Sequence, residues 1–331
     1  MVTIDEVAKL AGVSVATVSR VLNDPSAVKE KNRLSVQNAI NTLNYVPNMQ
    51  GLSLRKKRSG VILALLNTIT NEIAASIVDG IADCADQYGI RMILGNTNAR
   101  PEKEQDFCNM VQKKLADGII LINPINTAEI LNEFANSLPM VCCSAQPEDI
   151  NCPAIVSNDK AATYEAIQYL LKIGCKKIAF LGNGPKDSVT NARKSGFVQA
   201  MSEAGFSIPE TWYAHADYRF DAGEVASRRL LELTPDLDAV FCVSDSLAFN
   251  VIRIFRQLGI RVPEDIKVVG FDDSQYALLS TPPITTIHQD AKGIGQLAMT
   301  KLYKQIQGEE TGKREIVYVP HTLIVRQSTQ T

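Results

Sequence analysis

The chain has 331 residues, of which 45% are hydrophobic and 21% charged, a globular composition that excludes a disordered or fibrous protein. At about 100–200 residues per domain, this length predicts two or three domains. The longest apolar run, Val61 to Leu66, is far shorter than the ~20 residues that cross a bilayer, and the first residues lack a secretory leader. We therefore expect a soluble, cytoplasmic protein without a membrane partner.

The net charge of −2 is unevenly distributed. Residues 1–60 contain nine Lys and Arg against four Asp and Glu, a net of +5, so the remaining 271 residues have a net charge of −7. A basic end on an acidic body indicates a region that faces nucleic acid, although a chance excess of lysines explains the count equally well. The seven cysteines form no C-x-x-C pair and the three histidines are scattered, so we expect reduced thiols and no metal site.

The first 46 residues have the spacing of three short helices. A capping-box pattern at Thr3 begins the first helix, the second begins after Ser14 and ends at residues 23–25, and the third covers about residues 30–44. Two short helices joined by a tight turn that contains glycine, with a third after them, predict a helix-turn-helix domain over residues 1–46.

Residues 47–60 are different in kind, because they begin with Pro47 and contain the basic run 55–58, which predicts an interdomain linker. From residue 61 onward, short β-rich runs alternate with helical stretches, and this alternation predicts βαβ units with parallel sheets. About 270 such residues are too many for one small sheet, so we predict an α/β body of two doubly wound subdomains. Strands are predicted at 61–66, 90–95, 117–122, 139–143, 176–181, 238–243 and 266–271, and helices at 73–88, 159–173, 188–204 and 245–258.

Polar side chains follow the predicted strands, at the positions where ligands bind in open α/β sheets. Amides, carboxylates and hydroxyls suit a sugar, a polyol or a nucleoside, but the same residues are common turn formers and helix caps. We find no nucleophile elbow, phosphate-binding loop or dinucleotide motif, and we expect no histidine near the adjacent carboxylates 272 and 273, so we predict no catalytic residues. The polar set is Asn67, Asn96, Asn123, Ser144, Asn183, Ser244, Asp245, Asp272 and Asp273.

The sequence TIDEVAKLAGVSVATVSRVLN at residues 3–23 closely resembles the head of the LacI/GalR (lactose-repressor) family of bacterial transcription regulators. The resemblance implies a hinge helix and linker at 47–60 and an effector-binding and dimerisation domain at 61–331, similar to periplasmic binding proteins, with chain crossovers near 158, 288 and 319. It spans essentially the whole chain in the family's order, through residues 43–48, 117–120, 193–197, 262–273 and 281–287.

For the head, the resemblance implies that the second helix lies in the DNA major groove. Apolar side chains there contact base edges, an arginine reaches guanine, and short hydroxyl side chains contact phosphates. A hinge leucine, Leu54 by position, would be inserted into a minor-groove base step. The implied DNA-binding residues are Ser14, Val15, Ala16, Thr17, Ser19, Arg20, Asn23 and Leu54.

For the body, the resemblance implies an effector cleft in which Arg193 and Asp272 lie at positions that commonly bind ligand hydroxyls. Two departures from the family pattern are Ser144, where an aspartate is common, and residues 71–74, where an aromatic pair is common. An unusual sugar or a nucleoside-like effector is therefore expected rather than a standard hexose. The implied effector-binding residues are Asn71, Ile73, Ser144, Arg193, Tyr218, Asp245, Asp272 and Gln289.

These observations predict a homodimeric repressor that binds a pseudo-palindromic operator in double-stranded DNA and whose affinity is set by a small effector. No other cofactor is expected. The alternative is a sugar-binding protein without a DNA function, which the body alone would fit and the head motif disfavours. Dimer and tetramer, and inducer and corepressor, remain open alternatives at this point.

Overall fold

The computed structural model describes residues 2–46, 58–145, 149–184, 187–216 and 222–330. By its contacts the chain forms two compact units, residues 1–59 and residues 60–331. Within the described ranges, no helix combines the length and apolar character that a membrane span requires.

The first unit is a three-helix head made of α1 (Ile4–Ala11), α2 (Val15–Asn23) and α3 (Glu30–Leu43), which confirms the predicted helices. The Thr3 backbone N–H donates to the Glu6 carboxylate over 2.7 Å, and the Glu6 N–H donates to the Thr3 hydroxyl, so the capping box is formed. Gly12 ends α1 at φ 67°, a left-handed conformation that glycine adopts without a steric cost.

The core of the head is small. Because a domain of this size buries little apolar surface, its helix caps contribute a larger share of its stability than they would in a large domain. The six buried residues come in pairs from the three helices and are Val7, Ala8, Val18, Val21, Val36 and Ala39.

The second unit is the α/β body. Its elements in chain order are β1 (Val61–Leu66), α4 (Glu72–Gln87), β2 (Arg91–Asn96), α5 (Pro101–Gln112), β3 (Gly118–Ile122), α6 (Ala128–Ala135), β4 (Met140–Cys143), β5 (Pro153–Ser157), α7 (Asp159–Lys172), β6 (Ile178–Gly182), α8 (Ser188–Glu203), β7 (Tyr213–His215), α9 (Ala222–Leu233), β8 (Ala239–Cys242), α10 (Asp245–Gln257), β9 (Lys267–Val269), α11 (Gln275–Leu279), β10 (Thr286–Gln289), α12 (Ala291–Gln307), β11 (Glu315–Val319) and β12 (His321–Ile324).

The strands form two parallel sheets, one in each subdomain, and a short ribbon. The first subdomain has six strands in the order β11-β5-β4-β3-β1-β2, and the second has four in the order β7-β6-β8-β9. Strands β10 and β12 pair antiparallel. All seven predicted strands are present, and the doubly wound fold class is confirmed. The short strands β5, β7, β10, β11 and β12 were not predicted.

The chain passes between the two subdomains more than once. It leaves the six-stranded sheet after Ser157, and α7 then packs against α8 of the second subdomain. After Gln289 it returns, because α12 packs on α4 and β11 joins the six-stranded sheet, and after Val319 it forms β12 beside β10. Residues from both subdomains therefore meet where the crossing segments lie.

Two glycines allow α4 and α12 to make backbone contact. A Cβ atom on Gly80 would lie 2.1 Å from the Lys292 carbonyl oxygen, and one on Gly295 would lie 2.1 Å from the Ile77 carbonyl oxygen. Since no real side chain tolerates such distances, only glycine permits this crossing. Gly295 is therefore a packing residue.

The cysteines are buried thiols throughout the described residues, as the sequence predicted. Cys142 and Cys143 point to opposite faces of β4 and belong to different core clusters. Burial raises the pKa of the Cys108 thiol to about 12, which makes it a poor nucleophile.

Candidate functional site

The N-terminus of α2 is fixed by hydroxyl groups. The Ser14 Oγ accepts a hydrogen bond from the Thr17 backbone N–H over 3.2 Å and lies 2.9 Å from the Thr17 Oγ1. At the other end, the Asn23 amide donates to the Ser19 carbonyl oxygen over 2.7 Å. These side chains therefore stabilise the helix, and their exposed position also leaves them available to phosphates.

One face of α2 is open to solvent. Ala16, Arg20 and Asn23 are exposed and follow each other at intervals of four and three residues, which places them on one stripe, while Val18 on the opposite face is fully buried. Val15 is half-buried against the core of the head. The stripe therefore offers a methyl group, a guanidinium and an amide to a partner.

Arg20 is the strongest candidate for base recognition on this stripe. It forms no ion pair with any carboxylate of the described residues, so its five N–H donors are available. A guanidinium in the major groove can donate two parallel hydrogen bonds to guanine. Leu54, the predicted minor-groove residue, lies outside the described residues.

In the first subdomain, the cleft wall carries neutral polar groups at the carboxyl ends of strands. The Asn67 amide donates to the Asn123 carbonyl oxygen over 2.8 Å and accepts from the Thr97 hydroxyl over 3.2 Å. Ser144 follows β4 at φ 65°, a strained conformation for a residue with a side chain. This wall carries hydrogen-bonding groups without a formal charge.

Asn71 and Ile73, predicted to contact the effector, have structural roles in this subdomain. The Asn71 side chain caps α4, because its Oδ1 accepts from the Ala74 N–H over 2.9 Å. Ile73 is half-buried against the core. In this structure Asn71 acts as a helix cap and Ile73 as a packing residue. A contact of either residue with a ligand stays a prediction.

In the second subdomain, Arg193 on α8 is the centre of a buried polar cluster and is only 6% exposed. Its Nε donates to the Asp159 carboxylate over 2.8 Å, and a terminal nitrogen donates to the Val243 carbonyl oxygen. The guanidinium also lies 3.5 Å from the centre of the Phe271 ring and 3.8 Å from the Asp272 carboxylate. This cluster joins α7, α8 and the segment after β9.

Burial and pairing act in opposite directions on the charges of this cluster. Burial disfavours the charged guanidinium, but Asp159 and Asp272 outweigh it and raise the pKa of Arg193. Burial raises the pKa of Asp159, and the charge of Arg193 offsets part of that shift. A cationic Arg193 between two carboxylates is therefore the arrangement that a ligand would meet.

Asp272 and Gln289 are also in the cluster. The Gln289 amide donates to the Asp272 Oδ1 over 2.7 Å, which orients that carboxylate. The Asp272 backbone has φ 115°, a conformation that residues with a side chain rarely adopt. Strain of this kind is found preferentially at ligand-binding positions and indicates that the orientation of Asp272 is imposed by its surroundings.

Asp245 lies beneath this surface, since its side chain is fully buried. Its carboxylate accepts from the Ser274 N–H over 2.8 Å and from the Thr286 hydroxyl over 2.6 Å. Burial raises the pKa of Asp245 to about 7, although both hydrogen bonds oppose the shift. Asp245 therefore supports the segment that carries Asp272, and its burial leaves no direct path to a ligand in this conformation.

The expectation that no histidine lies near the adjacent carboxylates was wrong for Asp273. The His288 Nδ1 is 3.0 Å from the Asp273 carboxylate, because β10 passes beside the segment after β9. Arg326 binds the same carboxylate over 2.5 Å, so Asp273 is held in a structural ion pair. Because His288 and Asp273 are 15 positions apart, no local sequence pattern indicates that they are in contact.

A cavity of about 210 Å³ lies between the two subdomains, next to the Arg193 cluster. Ser144 borders it from the first subdomain and Asp159 from the second. Sequence reasoning missed most of the other lining residues, several of which belong to unpredicted strands or to helix starts. Those with polar side chains at helix starts or on an unpredicted strand include Lys160, Ser188 and Tyr318. Tyr218 lies outside the described residues.

An exposed helix on a helix-turn-helix head, together with a polar cleft between two parallel α/β subdomains, defines a DNA-binding regulator with a ligand-binding body. Sequence models of two protein families match the chain. Residues 3–48 match the bacterial regulatory proteins of the lacI family, and residues 167–329 match the periplasmic binding protein-like domain.

Full-length relatives are similar over the whole chain. The HTH-type transcriptional repressor PurR of Vibrio atlanticus (strain LGP32) is 32% identical over 332 residues, covering 99% of this chain and 98% of its own length. Catabolite control protein A of Priestia megaterium is 33% identical over 331 residues, covering 99% of each chain.

Solved structures share the fold. The lac repressor dimer bound to operator and the anti-inducer ONPF matches with a TM-score of 0.89 and 25% identity, over 100% of this chain and 99% of that one. The complex of transcriptional regulator CelR with cellobiose matches with a TM-score of 0.75 and 28% identity, over 99% and 100%. The chain belongs to the LacI family of bacterial regulatory proteins and is a DNA-binding transcriptional repressor with an effector-binding domain.

Proposed function

We propose that this repressor binds a pseudo-palindromic operator as a homodimer and that a small polar effector in the cleft sets its operator affinity. The observation that carries the proposal is the Arg193 cluster, which lies beside the cavity where chain segments pass between the subdomains. A ligand there contacts both subdomains and so favours one of their relative positions.

On the DNA side, the exposed stripe of α2 supports direct reading of bases. Arg20 donates to guanine, Ala16 contacts a thymine methyl group, and the hydroxyls of Ser14 and Thr17 bind phosphates without reading sequence. Two heads related by a two-fold axis require two inverted half-sites, which makes the operator pseudo-palindromic.

On the effector side, the ligand joins Ser144 of one wall to Asp159 of the other. Closing the cleft moves the first subdomain, whose strand β1 begins directly after the segment that leads from the head. Operator affinity changes only if the effector binds the two positions with different affinities, because a ligand with equal affinity shifts no equilibrium.

The effector class follows from the groups that remain available. The carboxylates of Asp159 and Asp272 accept hydrogen bonds, whereas the guanidinium between them is already bound by protein groups. Such a site favours a ligand rich in hydroxyl donors, which supports a sugar, with a nucleoside as second candidate. In this proposal the effector is the one small molecule that the protein needs, and the protein acts in the cytoplasm, where its DNA is.

The dimer partner is supported by exposed apolar side chains on the second subdomain. Leu278 and Leu279 on α11 are 60% and 76% exposed, and Val225 on α9 is 72% exposed. The two helices both pack against α10. A second copy of the chain would remove these exposed apolar side chains from water. The solved lac repressor structure, described as a dimer, also supports the homodimer.

The test begins by selecting duplexes that the full chain retains from a random-sequence pool. The proposal expects that the recovered duplexes share an inverted repeat. A thermal-shift screen then identifies a sugar or nucleoside that binds the protein, and that ligand is expected to change the gel shift of the recovered duplex. If a sugar raises the melting temperature but no duplex is recovered, the alternative of a sugar-binding protein without a DNA function holds instead.

A further inference from the structure

The edge strand β11 has one face in the core and one face that is largely open. Val317 and Val319 lie on the face that packs into the core with α4 and α12. Because side chains alternate along a strand, Ile316 and Tyr318 lie on the other face, and they are 38% and 57% exposed. Two exposed apolar side chains are ordinary on a protein surface, so their meaning depends on what lies beside them.

Both of these side chains line the cavity between the two subdomains. Val156 of β5 pairs in register with Tyr318 and also lines the cavity, so the first subdomain contributes apolar groups from two neighbouring strands. The second subdomain contributes Val189 and Ala192, which are three positions apart on α8 and so lie on one side of that helix. The cavity therefore has apolar surface from each subdomain.

The size of the cavity suits a single ring. Its volume is about 210 Å³. An apolar protein cavity of about 150 Å³ is large enough to hold benzene, so there is room here for one six-membered ring with small substituents. Ser144 and Ser188 also border the cavity, and their hydroxyls supply hydrogen-bonding groups for such substituents.

The charges around the cavity favour an uncharged occupant. An anionic group would meet the Asp159 carboxylate, and a cationic group would meet the exposed Lys160 ammonium. Either ion would also lose water against the apolar side chains of Val156 and Tyr318, which costs free energy unless a partner compensates it. Since Asp159 is already paired with Arg193, the cavity needs no counter-ion from a ligand.

The cavity adjoins the Arg193 cluster through one carboxylate. Asp159 lines the cavity, and its Oδ1 accepts from the Arg193 Nε over 2.8 Å. Arg193 lies 3.8 Å from the Asp272 carboxylate, to which the Gln289 amide donates over 2.7 Å. Of these four residues, all of which the structure describes, Asp159 alone lines the cavity. The cavity is therefore a compartment beside the hydroxyl-binding groups and not the same compartment.

We propose that the effector is a glycoside with two rings, a sugar ring whose hydroxyls bind the Arg193 cluster and a second, uncharged ring held in the cavity against Tyr318. The assignment rests on the proposed function and narrows its effector class. A second sugar, an aromatic substituent and a nucleobase all share the required chemistry, which is a ring with an apolar face. Because Tyr318 belongs to the first subdomain and Arg193 to the second, a two-ring ligand contacts both, whereas a single sugar ring fills one compartment.

The test measures dissociation constants of the full chain for matched one-ring and two-ring probes by isothermal titration calorimetry. The one-ring probes are the methyl glycosides of glucose, galactose, mannose and ribose. The two-ring probes are the phenyl glycosides of these sugars, disaccharides of the three hexoses, and the ribosides adenosine and uridine. These three kinds of two-ring probe distinguish an aromatic substituent, a second sugar and a nucleobase as the occupant of the cavity.

The quantity compared is the ratio of the one-ring to the two-ring dissociation constant. In the unmodified protein we expect a ratio of at least about ten for one matched pair, because the second ring removes apolar surface from water. Tyr318→Ala should lower that ratio by about 3- to 10-fold, as expected for the loss of one ring contact. Tyr318→Phe is the matched control, since it keeps the ring and should keep the ratio within about twofold. Because Tyr318 is largely exposed, both variants should retain the melting temperature of the unmodified protein.

Equal affinities for the one-ring and two-ring probes would overturn the inference while leaving a sugar effector intact. An unchanged ratio in Tyr318→Ala would also overturn it, because the second ring would then lie elsewhere. A ratio that falls as far in Tyr318→Phe as in Tyr318→Ala would show that the ring of Tyr318 is not the contact. If no probe of either kind binds, the effector class of the proposed function is itself wrong, and the two-ring ligand fails with it.

Discussion

The polar groups of the head are exposed and have few partners, whereas those of the cleft are buried and have several each. Arg20 faces solvent, while Arg193 is 6% exposed and binds Asp159, the Val243 carbonyl oxygen and the Phe271 ring. A site for DNA must meet a large charged surface, and a site for a small molecule must be preorganised inside a cleft. We therefore expect polar substitutions in the head to change mainly the operator affinity, and polar substitutions in the cleft to change mainly the free energy of unfolding.

The substitution Arg193→Ala tests this difference between cleft and head with the largest expected effect. The substitution leaves the buried Asp159 carboxylate without its cation, so we expect the free energy of unfolding of the body to fall by about 3–5 kcal/mol. Urea denaturation at neutral pH measures it. Arg20→Ala is the matched control and should leave the free energy of unfolding of the body within about 0.5 kcal/mol of the unmodified value. Equal effects of the two arginines would contradict the comparison.

The second prediction concerns the operator affinity that Arg20 supports. Arg20→Ala should cost about 1–3 kcal/mol of operator binding, or roughly 5- to 150-fold in the dissociation constant, and relax the base preference at one position of each half-site. Arg33→Ala on α3, which removes an exposed arginine paired with Glu30, is the control. Unchanged affinity together with unchanged preference would show that Arg20 does not read bases.

The third prediction sharpens the comparison through pH. Burial raises the pKa of Asp245 from 3.8 to about 7, so between those values the folded protein keeps a proton that the unfolded chain releases. The contribution of Asp245 therefore lowers the free energy of unfolding as pH rises from about 4 to 7, by up to about 1.4 kcal/mol per pH unit.

Asp245→Asn removes this contribution. The free energy of unfolding, measured by urea denaturation between about pH 4.5 and 8, should therefore vary less with pH than in the unmodified protein, in roughly the range between the two pKa values. Asp79→Asn, at an exposed carboxylate on α4, is the control and should leave the pH dependence unchanged. Parallel curves for Asp245→Asn and the unmodified protein would contradict the assignment.

The smallest expected effect is in the head. Ser14→Ala removes the acceptor of the Thr17 N–H at the start of α2 and should lower the stability of the head by about 0.5–1 kcal/mol. Amide hydrogen exchange at Val18 and Val21 measures it. Ser35→Ala in the interior of α3 is the control. Equal exchange rates in Ser14→Ala and the unmodified protein would show that the cap is not what stabilises α2.

The sequence predicted the head well because its signals are local. A capping box, a glycine at the end of α1 and a serine at the start of α2 each act within a few residues. The long apolar strands of the body, such as β1, are local signals too. These features needed no knowledge of distant residues.

Other parts of the body gave no such signal. Strand β5 starts with Pro153 and has an apolar run of only three residues, 154–156, and β11 is a largely exposed edge strand, so the sequence alone did not mark either of them. The pairing of Arg193 with Asp159 joins residues 34 positions apart, and the burial of Asp245 depends on β10. The residue types of the cleft were predictable, but their partners and depth follow from tertiary packing.

The glycine crossing of α4 and α12 has a consequence for synthesis of the chain on the ribosome. The first subdomain begins at residue 61, yet α12 and β11, which complete its core and its sheet, lie at residues 291–319. Until those residues emerge, the apolar face of α4 that includes Ile77 and Ile81 lacks the part of its cover that α12 provides. The subdomain that starts first during translation is therefore among the last parts of the protein to be finished.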